Sequence, residues 1–303
     1  MKRRKLASIT ALAWLVLALL PLAAAGRPVL RVAYAGSMGA LMGQGLGPAF
    51  ERTHAATFQG TGQGSYALAR LLAAKQLQAD VFIAVTPGPI DVLRKAGLVA
   101  SVVPIASTHM VVIYSPRSRF APAFAAAAAG GQPWHAVLAQ PGLRFGRSDP
   151  SIDPQGANVL FTLQLAARYY RQPQLVRRIA GDIINPRQIF TENSLLSRLE
   201  AGQIDATIGY ASAAHSHHLP TLALPDAINL GNPAMRADWY AKAGIELPDG
   251  KALRAQPLVF YAAILKTARQ PQLAQQFIAF IHGPRGQALL RQYGYAPATQ
   301  GAS

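Results

Sequence analysis

The chain has 303 residues, no cysteine, and 29 basic against 13 acidic residues, a formal charge of +16. The absence of cysteine excludes disulfides, thiolate metal sites and cysteine nucleophiles, so stability must come from a hydrophobic core. The basic residues are scattered and form no stripe interleaved with aromatic residues, which argues against a nucleic-acid partner and favours a solvated surface that attracts small anions.

The first 25 residues have the order of a secretory signal peptide. Four basic residues at 2–5 precede an apolar run at 6–22, and the small residues 23–26 follow. This order predicts export with cleavage after Ala25. The alternative is an uncleaved membrane anchor, because the apolar run approaches spanning length. Removal of the segment would leave 25 basic and 13 acidic residues, a charge of +12.

After this segment, short apolar runs alternate with helical patterns. Three runs predict buried strands, at 30–35, 57–60 and 80–85. Three segments predict helices, at 39–52, 66–75 and 89–96. Strands and helices that alternate with short links predict a parallel sheet covered on both faces.

A change of pattern near Ser107 indicates a second lobe. A long apolar strand at 110–114 is predicted to enter this lobe, and another at 257–265 is predicted to be the return crossing. Between them the sequence predicts a flexible alanine-rich run, a strand, a long helix, a strand, a helix and a strand, in this order: 124–131, 143–146, 155–171, 187–190, 193–201 and 206–210. Two final helices, 272–281 and 286–293, complete the first lobe.

The predicted architecture is therefore a two-lobed α/β protein in which each lobe is a mainly parallel sheet flanked by helices. The predicted boundaries are a signal peptide at 1–25, a first lobe at 26–107 plus 266–303, and a second lobe at 108–265. Two hinge crossings leave a cleft at the carboxyl ends of the strands, where open α/β sheets bind ligands. Closure of one lobe on the other is the expected motion.

Two serines follow the first two predicted strands. Gly36-Ser37 ends the first strand, and Gly64-Ser65 comes after the second. Each serine stands where a helix begins, beside a glycine that lets the backbone approach closely, and free N–H groups at a helix start form an anion site. Together the two segments predict a pocket for a small oxyanion. Each alone is equally a common turn, and each serine could simply cap its helix.

These two segments and four later ones, in this order, resemble the periplasmic tungstate/molybdate-binding proteins of ABC importers. The later segments are Ala79 to Phe82, Arg147 to Gly156, Ile208 to Ala214, and Leu224 to Leu230. The tail at 274–294 is similar to the end of type II periplasmic binding proteins, so the resemblance covers essentially the whole chain after the leader. It implies a monomeric receptor that delivers an oxyanion to membrane permease subunits and needs no other cofactor.

The resemblance also implies roles for individual residues. Ser37 and Ser65 match two serines that bind the oxyanion through hydroxyl and neighbouring backbone N–H groups. Asp153 matches an aspartate that can coordinate the metal centre, and Tyr210 matches a tyrosine whose hydroxyl donates to an oxygen. Asp153 could instead be a turn residue, and Tyr210 a core tyrosine. The implied ligand-binding set is Gly36, Ser37, Gly64, Ser65, Asp153 and Tyr210.

The sequence departs from the family pattern at Ala227. The motif Leu-Pro-x-Glu-Ile-Asn-Leu carries there a glutamate that helps complete six-coordinate binding of molybdenum or tungsten. Asp226 is adjacent, but a shift of one residue on an extended segment turns the side chain to the other face. Four- and six-coordinate binding therefore both remain open, and a receptor for another tetrahedral oxyanion, sulfate or phosphate, is the alternative.

An enzyme is the competing class of protein. The chain has no Gly-x-Ser-x-Gly elbow, no paired carboxylates at catalytic spacing, no phosphate-binding Gly-x-x-x-x-Gly-Lys loop and no His-Glu-x-x-His helix. These absences favour a binding protein over an enzyme that transfers an oxyanion.

Three nearby histidines, His215, His217 and His218, suggest a metal site. Adjacent histidines seldom converge on one ion without other ligands, so an exposed polar loop is predicted.

Overall fold

The computed structural model describes residues 26–298. These residues form a mixed α/β fold with a five-stranded sheet, a three-stranded sheet and a two-stranded hairpin. The predicted signal peptide, residues 1–25, lies outside the described part of the chain. Between residues 26 and 298, no helix has the length and apolar character needed to span a membrane.

The strands that the sequence predicts at 30–35, 57–60, 80–85, 110–114, 206–210 and 257–265 are present, whereas the predictions of strands at 143–146 and 187–190 are wrong, because these segments form only isolated bridges. In chain order the strands are β1 (Val29–Ala35), β2 (Thr57–Gln63), β3 (Val81–Val85), β4 (Val99–Ser107), β5 (Met110–Tyr114), β6 (Ala206–Tyr210), β7 (Thr221–Leu222), β8 (Gly244–Glu246), β9 (Ala252–Arg254) and β10 (Val259–Leu265). Strands β4 and β7 and the β8–β9 hairpin were not predicted.

Every helix that the sequence predicts is present to within a few residues, and four further helices, at 121–128, 134–138, 175–179 and 211–216, were not predicted. In chain order the helices are α1 (Gly47–His54), α2 (Ser65–Ala73), α3 (Gly88–Lys95), α4 (Ala121–Ala128), α5 (Trp134–Leu138), α6 (Pro154–Tyr169), α7 (Leu175–Ile179), α8 (Glu192–Glu200), α9 (Ala211–Ser216), α10 (Pro271–His282) and α11 (Pro284–Gln292). A π-helical turn, Leu41–Leu46, leads into α1.

The first sheet has the order β2-β1-β3-β10-β4. Strand β1 runs parallel to both β2 and β3, and β10 lies antiparallel between β3 and β4. The sheet is therefore mainly parallel, as the sequence predicts. Because Ala35 of β1 pairs with Gln63 of β2, the carboxyl ends of these strands lie side by side.

The second sheet has the order β6-β5-β7, and β5 runs antiparallel to both neighbours. Here the strand directions depart from the predicted parallel arrangement. The chain passes from β4 to β5 through only Thr108 and His109, so β5 leaves the first sheet without the crossover helix that a parallel neighbour requires. Two isolated bridges in this part of the chain are parallel, Phe145 with Ala206 and Arg147 with Ile189.

Strand β10, which we predicted to be the return crossing, pairs along its length with β3 and β4. The chain has therefore rejoined the first sheet by Val259. The lobe boundaries at residues 107 and 265 remain a prediction, and this pairing favours a return point ahead of Val259 instead of one after Leu265.

The alanine-rich run was predicted to be flexible, and this prediction is wrong. Helix α4 covers most of it, in keeping with alanine's high intrinsic helix propensity. Phe124 fixes the helix to the core, because it is fully buried and its ring stacks on Tyr114 with centroids 5.0 Å apart. Ala121, Ala123 and Ala127 pack against the same core, so tertiary contacts hold this run in a helix.

A buried carboxylate, Asp80, joins β1 to the segment that follows β10. It accepts backbone hydrogen bonds from Arg31 (2.8 Å), Arg269 (2.7 Å) and Gln270 (2.9 Å). We expect Asp80→Ala to lower the free energy of unfolding by about 3 kcal/mol, because the buried donors lose a charged acceptor. Urea denaturation measures this change. The exposed Asp238 is the matched control, and an equal loss in Asp238→Ala would contradict the assignment.

Candidate functional site

Ser37 and Ser65 lie at the carboxyl ends of adjacent strands, as the sequence predicts. Ser37 is in a short 3-10 turn after β1, and Ser65 is the first residue of α2. Their exposed fractions are 3% and 1%, and neither hydroxyl oxygen has a hydrogen-bond partner in the described structure. Buried hydroxyls are normally paired. Two unpaired ones at one edge of a sheet are therefore candidate ligand donors.

The two predicted glycines stand where the backbone meets a neighbouring segment. A Cβ on Gly64 would lie 2.7 Å from the carbonyl oxygen of Ile152, and a Cβ on Gly36 would lie 3.4 Å from Oε2 of Glu192. The N–H of Ala67 donates to the same Ile152 carbonyl at 3.1 Å. The Gly64 position thus needs a residue without a side chain, because it brings the start of α2 against the loop before α6.

Asp153 caps helix α6 from the opposite side of the cleft. Its Oδ1 accepts the N–H of Gln155 at 3.0 Å, and the side chain is buried. Burial raises the pKa of this carboxyl to about 6; the N–H of Gln155 and the nearby hydroxyl of Ser148 oppose the rise, and the charge of Asp149 adds to it. Asp153 is therefore a buried acid, even though it is also a helix cap.

The structure adds a second buried acid, Glu192, which the sequence analysis missed. Glu192 is the first residue of α8, and its Oε2 accepts the backbone N–H of Ser37 at 2.9 Å. Burial raises its pKa well above the ordinary value, and the charge of Asp153 raises it further. The only sequence signal was an acidic residue after the short apolar pair Ile189-Phe190, a pattern that also fits an ordinary helix start.

Arg147 brings the two acidic residues to one place. Its backbone N–H donates to Gln188 at 2.8 Å, and its carbonyl accepts the N–H of Phe190 at 3.0 Å. Its buried guanidinium donates to the carbonyls of Asp182 and Ile183, both at 2.8 Å. These hydrogen bonds hold the segment before Glu192 beside the loop before Asp153.

Tyr210 ends β6 with its hydroxyl near the acids. The Tyr210 oxygen accepts Nδ2 of Asn158 at 3.0 Å, and the side chain is 1% exposed. Burial, followed by the charges of Glu192 and Asp153, raises the pKa of Tyr210 well above its ordinary value. The hydroxyl keeps its proton at neutral pH and can donate it. A second tyrosine, Tyr295, donates to the carbonyl of Ser37 at 3.2 Å.

Ala227 and Asp226 lie elsewhere. The Asp226 carboxylate accepts the side-chain amides of Asn229 (3.1 Å) and Asn232 (2.9 Å), and its carbonyl accepts the hydroxyl of Tyr240 at 2.7 Å. Neither residue lines the cavity that Asp153 and Glu192 share. The carboxylates that line this cavity are those of Asp149, Asp153 and Glu192.

A cavity of about 620 Å³ lies beside these residues, and we call it the main cavity; the predicted site residues Ser37, Ser65 and Tyr210 are not among its lining residues. Gly36 and Gly64 line one side, and Ser148, Asp153 and Glu192 line the other. Of the described residues, no lysine, arginine or histidine lines it. The chemical character of the site is therefore neutral hydroxyl and N–H donors together with two acids that burial makes easier to protonate, Asp153 and Glu192, and a third, partly buried acid, Asp149, that accepts hydrogen bonds from Ser151.

The three histidines do not form a metal site. His217 pairs with Glu200 at 2.7 Å, whereas Nε2 of His215 lies 3.1 Å from the carbonyl of Gln292. His215 belongs to α9 and not to a loop. In the part of the chain that the structure describes, no group of three or more acidic, histidine or cysteine side chains could hold a metal ion.

The chain matches a known family and is similar to several named relatives. The profile of a family described as bacterial extracellular solute-binding protein matches residues 30–296. A Haloferax volcanii relative named as an ABC transporter molybdenum-binding protein is 33% identical over 204 residues, which are 67% of this chain and 63% of the relative. A molybdate/tungstate-binding protein from Pyrococcus abyssi is 28% identical over 256 residues, 78% of this chain and 73% of that protein.

The match to the Haloferax relative thus spans less than two thirds of its length, 63%. Among solved structures, the periplasmic molybdate-binding protein of Azotobacter vinelandii superposes with a TM-score of 0.57 at 18% identity, and the match covers 89% of this chain and 100% of that one. Likeness at this identity concerns the fold alone. It confirms the predicted fold class, a two-lobed periplasmic binding protein.

Proposed function

The chain belongs to the bacterial extracellular solute-binding protein family, and we propose that it captures tungstate or molybdate in the periplasm and delivers it to the permease of an ABC importer. One observation carries the proposal: two buried acids line a cavity without a cationic side chain, and two buried, unpaired hydroxyls belong to the residues that follow its lining glycines Gly36 and Gly64. Membership of a family of solute receptors accounts for the missing catalytic motifs. The names of the Haloferax and Pyrococcus relatives support the choice of metal.

The neutral donors are suited to the ligand's oxygens. We assign the hydroxyls of Ser37, Ser65 and Tyr210 to them, together with backbone N–H groups near Gly36 and Gly64. Helix α2 begins at Ser65, so its N-terminal dipole favours negative charge at the same place. Neutral donors and a helix start can hold a dianion without a full countercharge.

The two acids distinguish tungstate and molybdate from other tetrahedral anions. A carboxylate beside a dianion repels it unless the carboxylate is protonated or bonded to the metal. Molybdenum and tungsten accept further oxygen ligands, whereas sulfur and phosphorus in sulfate and phosphate do not. We therefore assign Asp153 and Glu192 to the metal centre, which makes six-coordinate binding the expected mode despite Ala227.

Delivery follows from closure of the cleft. The proposed receptor is a monomer, exported by the leader at 1–25, with the lobes divided near residue 107 and ahead of Val259. Contacts such as Ala67 to Ile152 join the predicted lobes, and a ligand between them favours the closed state. A permease that binds the closed state better than the open one would read ligand occupancy as a shift in population.

The experiment is isothermal titration of the mature protein with tungstate, molybdate, sulfate and phosphate. We expect heat with the first two and binding at least about 100-fold weaker for the others, because they meet two buried carboxylates without a compensating bond. Tight sulfate or phosphate binding with no response to tungstate would replace this proposal by a receptor for the alternative oxyanions. Turnover of a phosphate or sulfate ester would contradict a receptor altogether.

A further inference from the structure

A second cavity of about 290 Å³ lies on the other side of the contact between α2 and the loop before α6. We call it the back cavity. Its lining residues include Tyr66 of α2, Asp91 and Lys95 of α3, Asn158 of α6, Lys251 directly before β9, and Arg254 of β9. It shares none of its lining residues with the main cavity. The proposed function gives it no role.

Its charge is unlike that of the main cavity. Lys95, Lys251 and Arg254 line it, and none of the three forms an ion pair within residues 26–298. Asp91, the acid in its lining, is already bridged to Arg94 at 2.9 Å. The back cavity thus carries a surplus of positive charge, contributed by α3 on one side and by β9 with the residue before it on the other.

Lys251 is held at this place by its surroundings. Its Nζ lies 4.0 Å from the centre of the Tyr66 ring, a cation–π contact. Burial lowers the pKa of Lys251, the charges of Arg70 and Lys95 lower it further, and Asp249 opposes them. The positive charges around Lys251 repel its partly buried ammonium group. A bound anion would offset this repulsion.

Neutral donors complete the lining. Thr86 and Gln256 contribute a hydroxyl and an amide, and Thr86 adopts a φ of +67°. A β-branched residue in this left-handed region is an outlier that the surrounding structure must enforce. The cavity therefore offers ammonium, guanidinium, hydroxyl and amide donors around a space large enough for a small ion.

We propose that the back cavity is a second binding site, for a small multivalent oxyanion of the sulfate or phosphate type. The anion would bridge Lys95 on α3 to Lys251, directly before β9, and Arg254 on β9. These elements belong to different predicted lobes, so an occupied back cavity favours the closed cleft. Binding there and binding in the main cavity then strengthen each other by the same factor, because coupling between two sites is reciprocal.

The test uses sulfate as the probe and calorimetry as the readout, at constant ionic strength and pH 8. Sulfate is titrated into the wild-type protein, the Lys251→Ala/Arg254→Ala variant and the Ser37→Ala/Ser65→Ala variant. We expect the first variant to weaken sulfate binding at least about tenfold, since it removes two charged donors, and the second to retain it. The matched control is Lys266→Ala/Arg285→Ala, which changes the net charge equally at exposed positions.

The outcomes separate this inference from the proposed function. Sulfate binding that the serine variant loses and the Lys251/Arg254 variant keeps would place the anion in the main cavity and overturn the inference. Equal weakening in the Lys266/Arg285 control, or no sulfate heat in the wild type, would overturn it as well. Support would come from sulfate raising the tungstate affinity of the wild type but not of the Lys251/Arg254 variant. An anomalous selenate peak between Lys95 and Lys251 would give the location directly.

Discussion

Replacing Asp153 by asparagine should stabilise the ligand-free protein at neutral pH while it destroys binding. The Asp153 carboxyl is buried, and its pKa is about 6 instead of the ordinary 3.8. Folding therefore favours the protonated acid, and keeping the ionised form buried above pH 6 costs on the order of 3 kcal/mol. Asparagine removes that cost and still caps α6, because its side-chain oxygen can accept the N–H of Gln155.

The sign of the pH dependence follows from the raised pKa. Between about pH 4 and pH 6 the folded protein binds more protons than the unfolded chain, so the stability of the wild type falls as the pH rises through this window. The Asp153→Asn variant lacks this contribution. Its advantage in urea denaturation should be largest at pH 8 and should nearly disappear by pH 4. Asp238→Asn, at an exposed position, should show no such trend.

Tungstate binding should respond in the opposite direction. We expect Asp153→Asn to weaken it by at least about 100-fold, more than is typical for loss of an outer-sphere partner of a metal. Glu192→Gln should act in the same way, because the Glu192 carboxyl is also buried with a raised pKa and a glutamine oxygen can still accept the N–H of Ser37. A variant that binds tungstate normally, or that is less stable than the wild type at pH 8, would contradict a functional acid pair.

The sequence predicts those parts of the site that depend on local pattern. Ser37 and Ser65 could be found because a strand, a small residue and a helix start follow one another within a few positions. The same locality explains the predicted parallel strands β1, β2 and β3. The run that forms α4 was predicted to be flexible because the contacts that fix it, such as Phe124 against Tyr114, are tertiary contacts that the alanine run does not reveal.

Glu192 could not be placed from the sequence because its role depends on contacts across the fold. It meets Ser37 across 155 positions of the chain, and the backbone pairing of Arg147 with Gln188 and Phe190 carries its segment there. Examined locally, Thr191-Glu192 is a capped helix start with a favourable acidic first turn. The family motif directed attention to Ala227 instead, whose neighbour Asp226 is engaged by two asparagines.

Removing both predicted donor hydroxyls, as Ser37→Ala/Ser65→Ala, should abolish tungstate binding with no loss of stability. Each hydroxyl is buried without a partner, so the ligand-free protein already bears the cost of desolvating it. Alanine removes that cost, and the free energy of unfolding should stay level or rise. Binding should weaken at least about 1,000-fold, because two hydrogen bonds to a charged ligand are lost.

Ser118 provides the matched control for this test. It is as buried as the two site serines, but its hydroxyl donates to Asp205 at 2.8 Å and accepts the N–H of Phe120 at 3.0 Å. Ser118→Ala should therefore cost about 1–3 kcal/mol of stability and leave tungstate binding intact. A Ser37/Ser65 variant that is less stable than the wild type but still binds tungstate would mean that these hydroxyls serve the fold. Only hydroxyls kept unpaired for a ligand combine lost affinity with undiminished stability.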